Sequence, residues 1–193
     1  MSMKLFILGL LMVKDQHPYE IRQTIQQRNW NISFKLRDGS LYYAVDQLRN
    51  DGWIEAVEVI PVPGDSRPDK TVYRITELGK SEFMALMVGQ MKQHSYPQHP
   101  MFAALPFIRH AEAQVVVDHI EKHLDACICK IEHLENILDI KGSMLPLGSR
   151  YLIEGMKRYS MAERSWLEDM LKDARSGKLT ADNCGPDASP NQE

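Results

Sequence analysis

Residues 39–54, GSLYYAVDQLRNDGWI, decide how the rest of the chain is read. Leu41, Val45 and Leu48 recur at i, i+4 and i+7, the spacing that lines one face of an α-helix with apolar side chains. Asp38, just ahead, is a residue type that caps a helix start by accepting from the free N–H groups of the first turn. Gly52, just behind, is the residue type that ends one, because a left-handed C′ position suits glycine. The stretch is expected to be a helix from about Gly39 to Asn50 that turns sharply into a strand. Opposite its apolar stripe lie Tyr43, Asp46 and Asn50, flanked by Ser40 and Gln47, a face able to hydrogen-bond outward.

Working upstream, Leu5, Leu8 and Met12 suit one face of a first helix. Pro18 suits the first turn of a second, where its missing N–H costs nothing, and Ile21 and Ile25 would be its buried face. Downstream, Trp53–Ile60 (WIEAVEVI) is rich in β-branched residues and Thr71–Thr76 (TVYRIT) alternates. Between them Pro61–Lys70 (PVPGDSRPDK) has the Pro, Gly and Asp of a hairpin loop. Thr76 and Glu77 open a fourth helix bearing Phe83, Leu86 and Met87. Three helices, a hairpin and another helix, in this order and size, form the winged helix-turn-helix pattern.

Pro97, Pro100 and Pro106 interrupt the next segment, and two long helical patterns follow. In the first, Val117, Ile120, Leu124, Cys127, Ile131, Leu134 and Leu138 alternate spacings of three and four. In the second, Leu152, Met156, Tyr159, Glu163, Trp166 and Met170 do the same, with Glu163 as a charged intruder. Such seams belong to helices packed at coiled-coil angles. Val116, Ile128 and Ile137 on the first, and Ile153, Leu167 and Leu171 on the second, widen each stripe enough for more than one neighbour. The fold expected is mainly α with a small β-hairpin: a winged helix-turn-helix domain followed by a long-helix dimerisation domain. Its parts are a DNA-binding domain over 1–90, a connector over 91–108, a helical dimerisation domain over 109–175, and a tail over 176–193. The tail has little to bury and is expected to be disordered.

Composition sets the class. Of 193 residues, 44% are apolar and 25% charged, the balance of an ordinary globular protein. Met1–Val13 is apolar but is followed by no cleavage site and is too short to span a bilayer, so no membrane role and a cytoplasmic location are expected. Three cysteines are too few for a disulfide framework. The net charge of −3 does not itself point to nucleic acid. Residues 1–90 carry 11 Lys/Arg and 11 Asp/Glu, however, so the acidic excess lies wholly in the second half. A neutral domain binds DNA if its cations share one face. No phosphate loop, zinc-protease motif or nucleophile elbow occurs, so no enzyme and no cofactor are expected.

The quoted stretch resembles the recognition-helix signature of the PadR family of bacterial regulators: a Gly-x-Leu-Tyr start, a Leu at the third turn and a Gly-apolar-Ile exit. His17-Pro-Tyr-Glu-Ile21 is similar to the family's second-helix opening, although a Gly usually stands where this chain has Pro18. Arg67-Pro-Asp-Lys-Thr-Val-Tyr-Arg-Ile-Thr-Glu-Leu-Gly79 resembles the return strand of the wing and the helix after it. More loosely, Ala103-Ala-Leu-Pro-Phe107 and Ala162-Glu-Arg-Ser-Trp-Leu167 resemble the helical C-terminal domain of longer members. The resemblance covers roughly residues 3–175. It implies a homodimer, palindromic double-stranded operator DNA, and usually repression released by a small molecule or stress signal. The first two are expected here and the third is left open, with an activator or partner-controlled regulator acting through the C-terminal helices as the alternative.

A helix in the major groove reads base edges mostly with its N-terminal residues, so Ser40, Tyr43 and Gln47 are the candidates for base contact. Tyr42 either reaches a phosphate or packs against the second helix. Lys35 and Arg37 before the helix, and Arg67 and Lys70 in the wing, are candidates to neutralise phosphates, which supplies affinity more than specificity. For dimerisation the candidates are the seam residues, Glu163 excepted. An effector site is expected near Trp166, Met101, Phe102 and Phe107, although Trp166 fits a plain dimer core better. His119, His123 and Cys127 have zinc-like i, i+4, i+8 spacing, but Cys127 falls in the apolar seam, where it acts as a small hydrophobe, so no metal is expected.

Overall fold

The computed structural model describes residues 3–28, 30, 34, 36, 38–60, 70–94 and 99–181, with the side chains of residues 38, 60 and 70 left aside. The chain divides into two compact units, Met1–Tyr96 and Pro97–Glu193. The first holds α1 (Met3–Leu11), α2 (Pro18–Gln27), α3 (Asp38–Asn50), β1 (Ile54–Ile60), β2 (Lys70–Ile75) and α4 (Glu77–Met91). In the second, short 3-10 turns at Pro100–Ala103 and Leu105–His110 lead into α5 (Ala113–Lys141) and, after another turn, α6 (Leu147–Arg175). The fold is the expected one: mainly helical, with one antiparallel hairpin in a winged helix-turn-helix and two long helices after it.

The starts of α2 and α4 and the end of α3 can be followed to their hydrogen bonds. Pro18 stands in the first turn of α2, where His17 Nδ1 accepts from the Tyr19 N–H at 3.1 Å and Glu20 Oε2 accepts from the His17 N–H at 3.0 Å. At the end of α3, Gly52 has φ +71°. Its N–H reaches the Arg49 carbonyl at 3.0 Å and the Trp53 N–H reaches the Leu48 carbonyl at 2.9 Å, the two bonds of a Schellman motif. Thr76 caps α4, its Oγ1 accepting from the Gly79 N–H at 3.0 Å and donating to the Gly52 carbonyl at 2.8 Å. One threonine thereby ties the exit of α3 to the entry of α4.

The core of the first unit contains Leu41, Val45 and Leu48 from α3, Ile21 and Ile25 from α2, and Ile54, Tyr73 and Ile75 from the hairpin. On α1 the expected stripe of Leu5, Leu8 and Met12 gives way to burial of Ile7, Leu8, Leu10 and Leu11, while Met12 lies exposed. The reason is that α1 packs against α3, α4 and β2 together, so no single face is its inside. Helix α3 begins at Asp38 itself, one residue earlier than expected.

In the second unit α5 and α6 pair antiparallel, as the cross-helix ion pairs Lys157–Glu135 at 3.2 Å and Arg175–Glu121 at 2.7 Å require. Val116, Ile120, Cys127 and Ile131 meet Leu167, Met170, Leu171 and Ala174. The buried residues of α6 are Ser160, Leu167, Met170, Leu171 and Ala174, so Met170 keeps its expected place while Ser160 and Leu167 take over from the expected Tyr159 and Trp166. Small Ser160 and Ala174 let the backbones approach, close enough for the Cys127 thiol to donate to the Ser160 carbonyl at 3.1 Å. Of the tail, Leu179 packs against this core, and residues 182–193 lie outside the described residues.

Candidate nucleic-acid interface

Helix α3 keeps its apolar stripe inward and turns a polar face to water. Ser40, Tyr42, Tyr43 and Asp46 are exposed, with Tyr43 65% accessible, and Gln47 is half-buried. Gln47 Nε2 donates to Tyr43 Oη at 2.7 Å, one helical turn back along the face. This is the direction in which helical side chains lean. On the other flank Arg49 Nη2 lies 3.8 Å from Asp46 Oδ1. Both groups are exposed, so this pair adds little stability, but it offsets a carboxylate that would otherwise repel phosphates. At the N-terminal end of the face a Cβ on Gly39 would meet nothing within 4 Å among the described residues.

The frame that holds α3 is polar as well as apolar. Lys4 Nζ on α1 reaches Asp51 Oδ2 at 2.9 Å and sits 4.8 Å from the centre of the Trp53 ring, pinning the C-terminal end of the helix. The hairpin is fixed by groups that sequence reasoning missed. Gln16 pairs with Tyr73 through two backbone hydrogen bonds of 3.1 Å, adding a bridge beside β2. The buried Gln16 side chain donates at 3.0 Å to the Leu10 carbonyl at the end of α1, which also accepts from the Val13 N–H at 3.1 Å. Beside it Arg74 grips Asp15 with three bonds of 2.6–3.2 Å. The hydrogen bonds and charge of Asp15 raise the Arg74 pKa above the ordinary guanidinium value. Arg74 thus works as an anchor for the wing. These partners stand 59 residues apart and share no sequence period.

Among the candidates for phosphate contact, Lys35, Arg37 and Arg67 lie outside the described residues, and Lys70 is described only as the first residue of β2. The described part of the wing shows a bulge in β1 between Ala56 and Glu58, and Glu55 stands opposite Arg74.

The other candidates all lie in the second unit. Ile120, Cys127, Ile131, Leu134 and Met170 are buried within the single chain. Val117, Leu124, Leu138, Met156 and Trp166 are half-buried, whereas Leu152 and, at 75%, Tyr159 are exposed. Of the effector candidates, Met101 and Trp166 pack on the α5–α6 core, and Phe102 meets Trp166 edge-on with centroids 5.5 Å apart. His99 joins them, its ring 5.0 Å from Trp166, and its Nε2 lies 3.1 Å from Glu163 Oε1. The charged intruder of the second seam has found its partner there. Phe107 is 67% exposed, with no ring contact recorded among the described residues.

His119, His123 and Cys127 do not converge: His119 Nδ1 lies 2.8 Å from the Val115 carbonyl, and Cys127 points into the α5–α6 contact. Among the described residues no three His, Cys, Asp or Glu side chains cluster as metal ligands would. Burial first, and then the Glu163 carboxylate, push the Cys127 thiol above its ordinary pKa, which keeps it protonated and unreactive. No described helix is long and apolar enough to cross a membrane.

Comparison with known proteins agrees with this geometry. The model of the transcriptional regulator PadR-like family matches residues 7–85. An uncharacterized protein of Lysinibacillus sphaericus is 37% identical over 81 residues, 42% of this chain and 71% of that protein. Among solved structures, smu.1604c of Streptococcus mutans UA159 is similar at a TM-score of 0.70 and 26% identity, over 89% of this chain and 99% of that one. Bacillus subtilis PadR in complex with operator DNA is similar at a TM-score of 0.70 and 20% identity, over 89% and 98% of the two chains. The same protein in complex with p-coumaric acid gives 0.68 and 19%, over 89% and 98%.

Proposed function

Because this chain belongs to the transcriptional regulator PadR-like family, we propose that it is a homodimeric repressor whose two winged helices sit on one palindromic operator in the cytoplasm. The observation that carries this reading is the face of α3, where Ser40, Tyr43 and Gln47 stand opposite a wholly buried stripe on a helix anchored at its far end. Ser40, Tyr43 and Gln47 contact base edges in the major groove. Tyr42, Lys35, Arg37, Arg67 and Lys70 follow the phosphates. A dimer of this kind spans half-sites about 34 Å apart, one turn of DNA.

The working parts are a DNA-binding domain over 1–90, a connector over 91–108 and a dimerisation domain over 109–175. Much of the α5 seam is covered by α6 in the single chain, so the partner subunit covers what remains. Ile140, Met144, Leu147, Tyr151, Leu152 and Tyr159 are all exposed apolar or aromatic residues, more than a monomer normally shows on one helix pair. An effector would act near Met101, Phe102, Phe107 and Trp166; a protein of the same fold that binds p-coumaric acid supports such control. The alternative, a regulator answering to a protein partner, draws on the same exposed helical surface.

Salt titrations of the full chain on a duplex from its own promoter and on a scrambled duplex test this reading. Arg67→Ala should weaken both equally and lower the salt slope by nearly two, since a homodimer carries each change twice and each phosphate contact contributes about one. Equal affinity of the wild-type chain for both duplexes would end the proposal. Promoter output with and without the protein separates repression from activation.

A further inference from the structure

The hydrogen bond between Gln47 and Tyr43 says more than that both residues face outward. A phenol oxygen carries one proton, which stays near the ring plane and has two positions there, one on each side of the C–O axis. Gln47 Nε2 donates to Tyr43 Oη at 2.7 Å, and a proton received by a phenol oxygen takes up one of those sides. The Tyr43 proton is thereby turned to the other side, where the oxygen can only donate. The ring is 65% exposed and sits at the sixth residue of α3. Held from behind by Gln47, it reaches whatever the helix rests on with its hydrogen-bond role already decided.

The major-groove edges differ in this property. Guanine shows N7 and O6, adenine N7 and thymine O4 as acceptors, whereas cytosine shows an N4 amino donor. We propose that Gln47 is a positioning residue that makes Tyr43 an obligate donor, so that this contact accepts a purine or thymine on the strand it touches and rejects cytosine. The inference rests on the reading that the α3 face contacts base edges. It adds the sense of the contact and assigns Gln47 its part. The bond also removes the freedom the phenol would otherwise lose on binding, so the selectivity comes with preorganisation.

The substitutions separate this role from a merely structural one, because neither side chain belongs to the buried apolar stripe of α3. Gln47→Glu reverses the couple: a carboxylate only accepts, so the Tyr43 proton turns back to it and the oxygen faces outward as an acceptor. Gln47→Met keeps length and removes the donor, freeing the phenol to take either role.

The test selects bound sequences from a randomised double-stranded DNA library with the full-length wild-type chain and with Tyr43→Phe, Gln47→Met and Gln47→Glu, comparing base preferences position by position. Thermal melts check that each variant is folded. At one position per half-site the wild type should disfavour cytosine by about three- to tenfold, the worth of one hydrogen bond. Tyr43→Phe should erase that preference, Gln47→Met should relax it, and Gln47→Glu should turn it toward cytosine or adenine, whose amino groups suit an acceptor. At that position Gln47→Met should change nothing further once Tyr43→Phe is present. If Tyr43→Phe erases a preference that both Gln47 variants leave intact, the couple is overturned while base reading by α3 stands. If Tyr43→Phe, folded and bound, alters no position, base reading by Tyr43 falls together with the inference.

Discussion

Helices α3 and α6 are both amphipathic, yet they leave opposite chemistry in water. On α3 every apolar side chain of the stripe is buried in its own unit, and the outward face is polar, with Gln47 already bonded to Tyr43. On α6 the buried line of Ser160, Leu167, Met170, Leu171 and Ala174 is matched by a second surface where Leu147, Tyr151, Leu152 and Tyr159 stand exposed. Helix α3 turns hydrogen-bonding groups to water, whereas α6 leaves apolar and aromatic side chains there. The same helical period serves two ends, decided by what lies opposite the core.

The comparison breaks first at the α5–α6 core. Leu167 is wholly buried there, and Leu167→Ala should cost about 2–5 kcal/mol through lost burial and the cavity left behind. Hydrogen exchange read by peptide should rise across 113–141 and 147–175 and stay unchanged across α1 to α3. A uniform rise through both units would show that they unfold as one.

The matching stress point in the first unit is Gly79, where an added Cβ would lie 2.0 Å from the Trp53 carbonyl oxygen and 2.8 Å from Ile75 Cγ1. The oxygen belongs to backbone that also accepts from the Thr76 N–H at 3.0 Å, so it cannot simply move aside. Gly79→Ala should destabilise the winged helix by about 3 kcal/mol, at the upper end of ordinary overpacking. Urea melts followed by Trp53 fluorescence in a Trp30→Phe, Trp166→Phe background would measure it. An unchanged midpoint would mean that α4 can shift away from β1 at no cost.

These two positions also show what was legible in the sequence and what was not. The α3 stripe, the Gly52 stop, the hairpin and both long helices announce themselves because each is set by neighbours within a few residues. The buried line on α6 was legible only in part: Met170 lay in the expected seam and Leu167 and Leu171 beside it, but Ser160 and Ala174 have no apolar bulk to announce them. The burial of α1 on several sides hides its period in the same way. The anchors Asp15 and Gln16 depend on partners in β2 that only the fold brings near. The Tyr43–Gln47 bond stood at readable i, i+4 spacing, but spacing alone does not say which group donates.

A sharper test of the open surface on α6 comes from charging it. Leu152→Asp with Tyr159→Asp should leave helical content unchanged, because neither residue is in the core, while weakening self-association by about 2 kcal/mol, roughly thirtyfold. Leu124→Asp with Ile131→Asp should instead unfold the helix pair, since those side chains pack on the intrachain core. Sedimentation together with circular dichroism distinguishes the two. Loss of helix in the first pair, or a folded monomer from the second, would reverse the assignment of inner and outer faces.

The smallest effect concerns Gly39 and has opposite signs for folding and for binding. Glycine in a helix lowers stability relative to alanine, because it gives up more backbone freedom on folding. Nothing among the described residues calls for it here: its φ is not positive, and a Cβ would find open space among them. Gly39→Ala should therefore stabilise the chain by about 0.5 kcal/mol. If α3 enters DNA with its first turn foremost, that same methyl meets the duplex, and affinity for the chain's promoter duplex should fall while the melting temperature rises slightly. Gly79 is small because the protein's own backbone crowds it, and Gly39 would be small because a ligand does. Should Gly39→Ala raise stability and leave DNA affinity untouched, the first turn of α3 does not approach the duplex closely, and base contact would have to begin further along, at Tyr43.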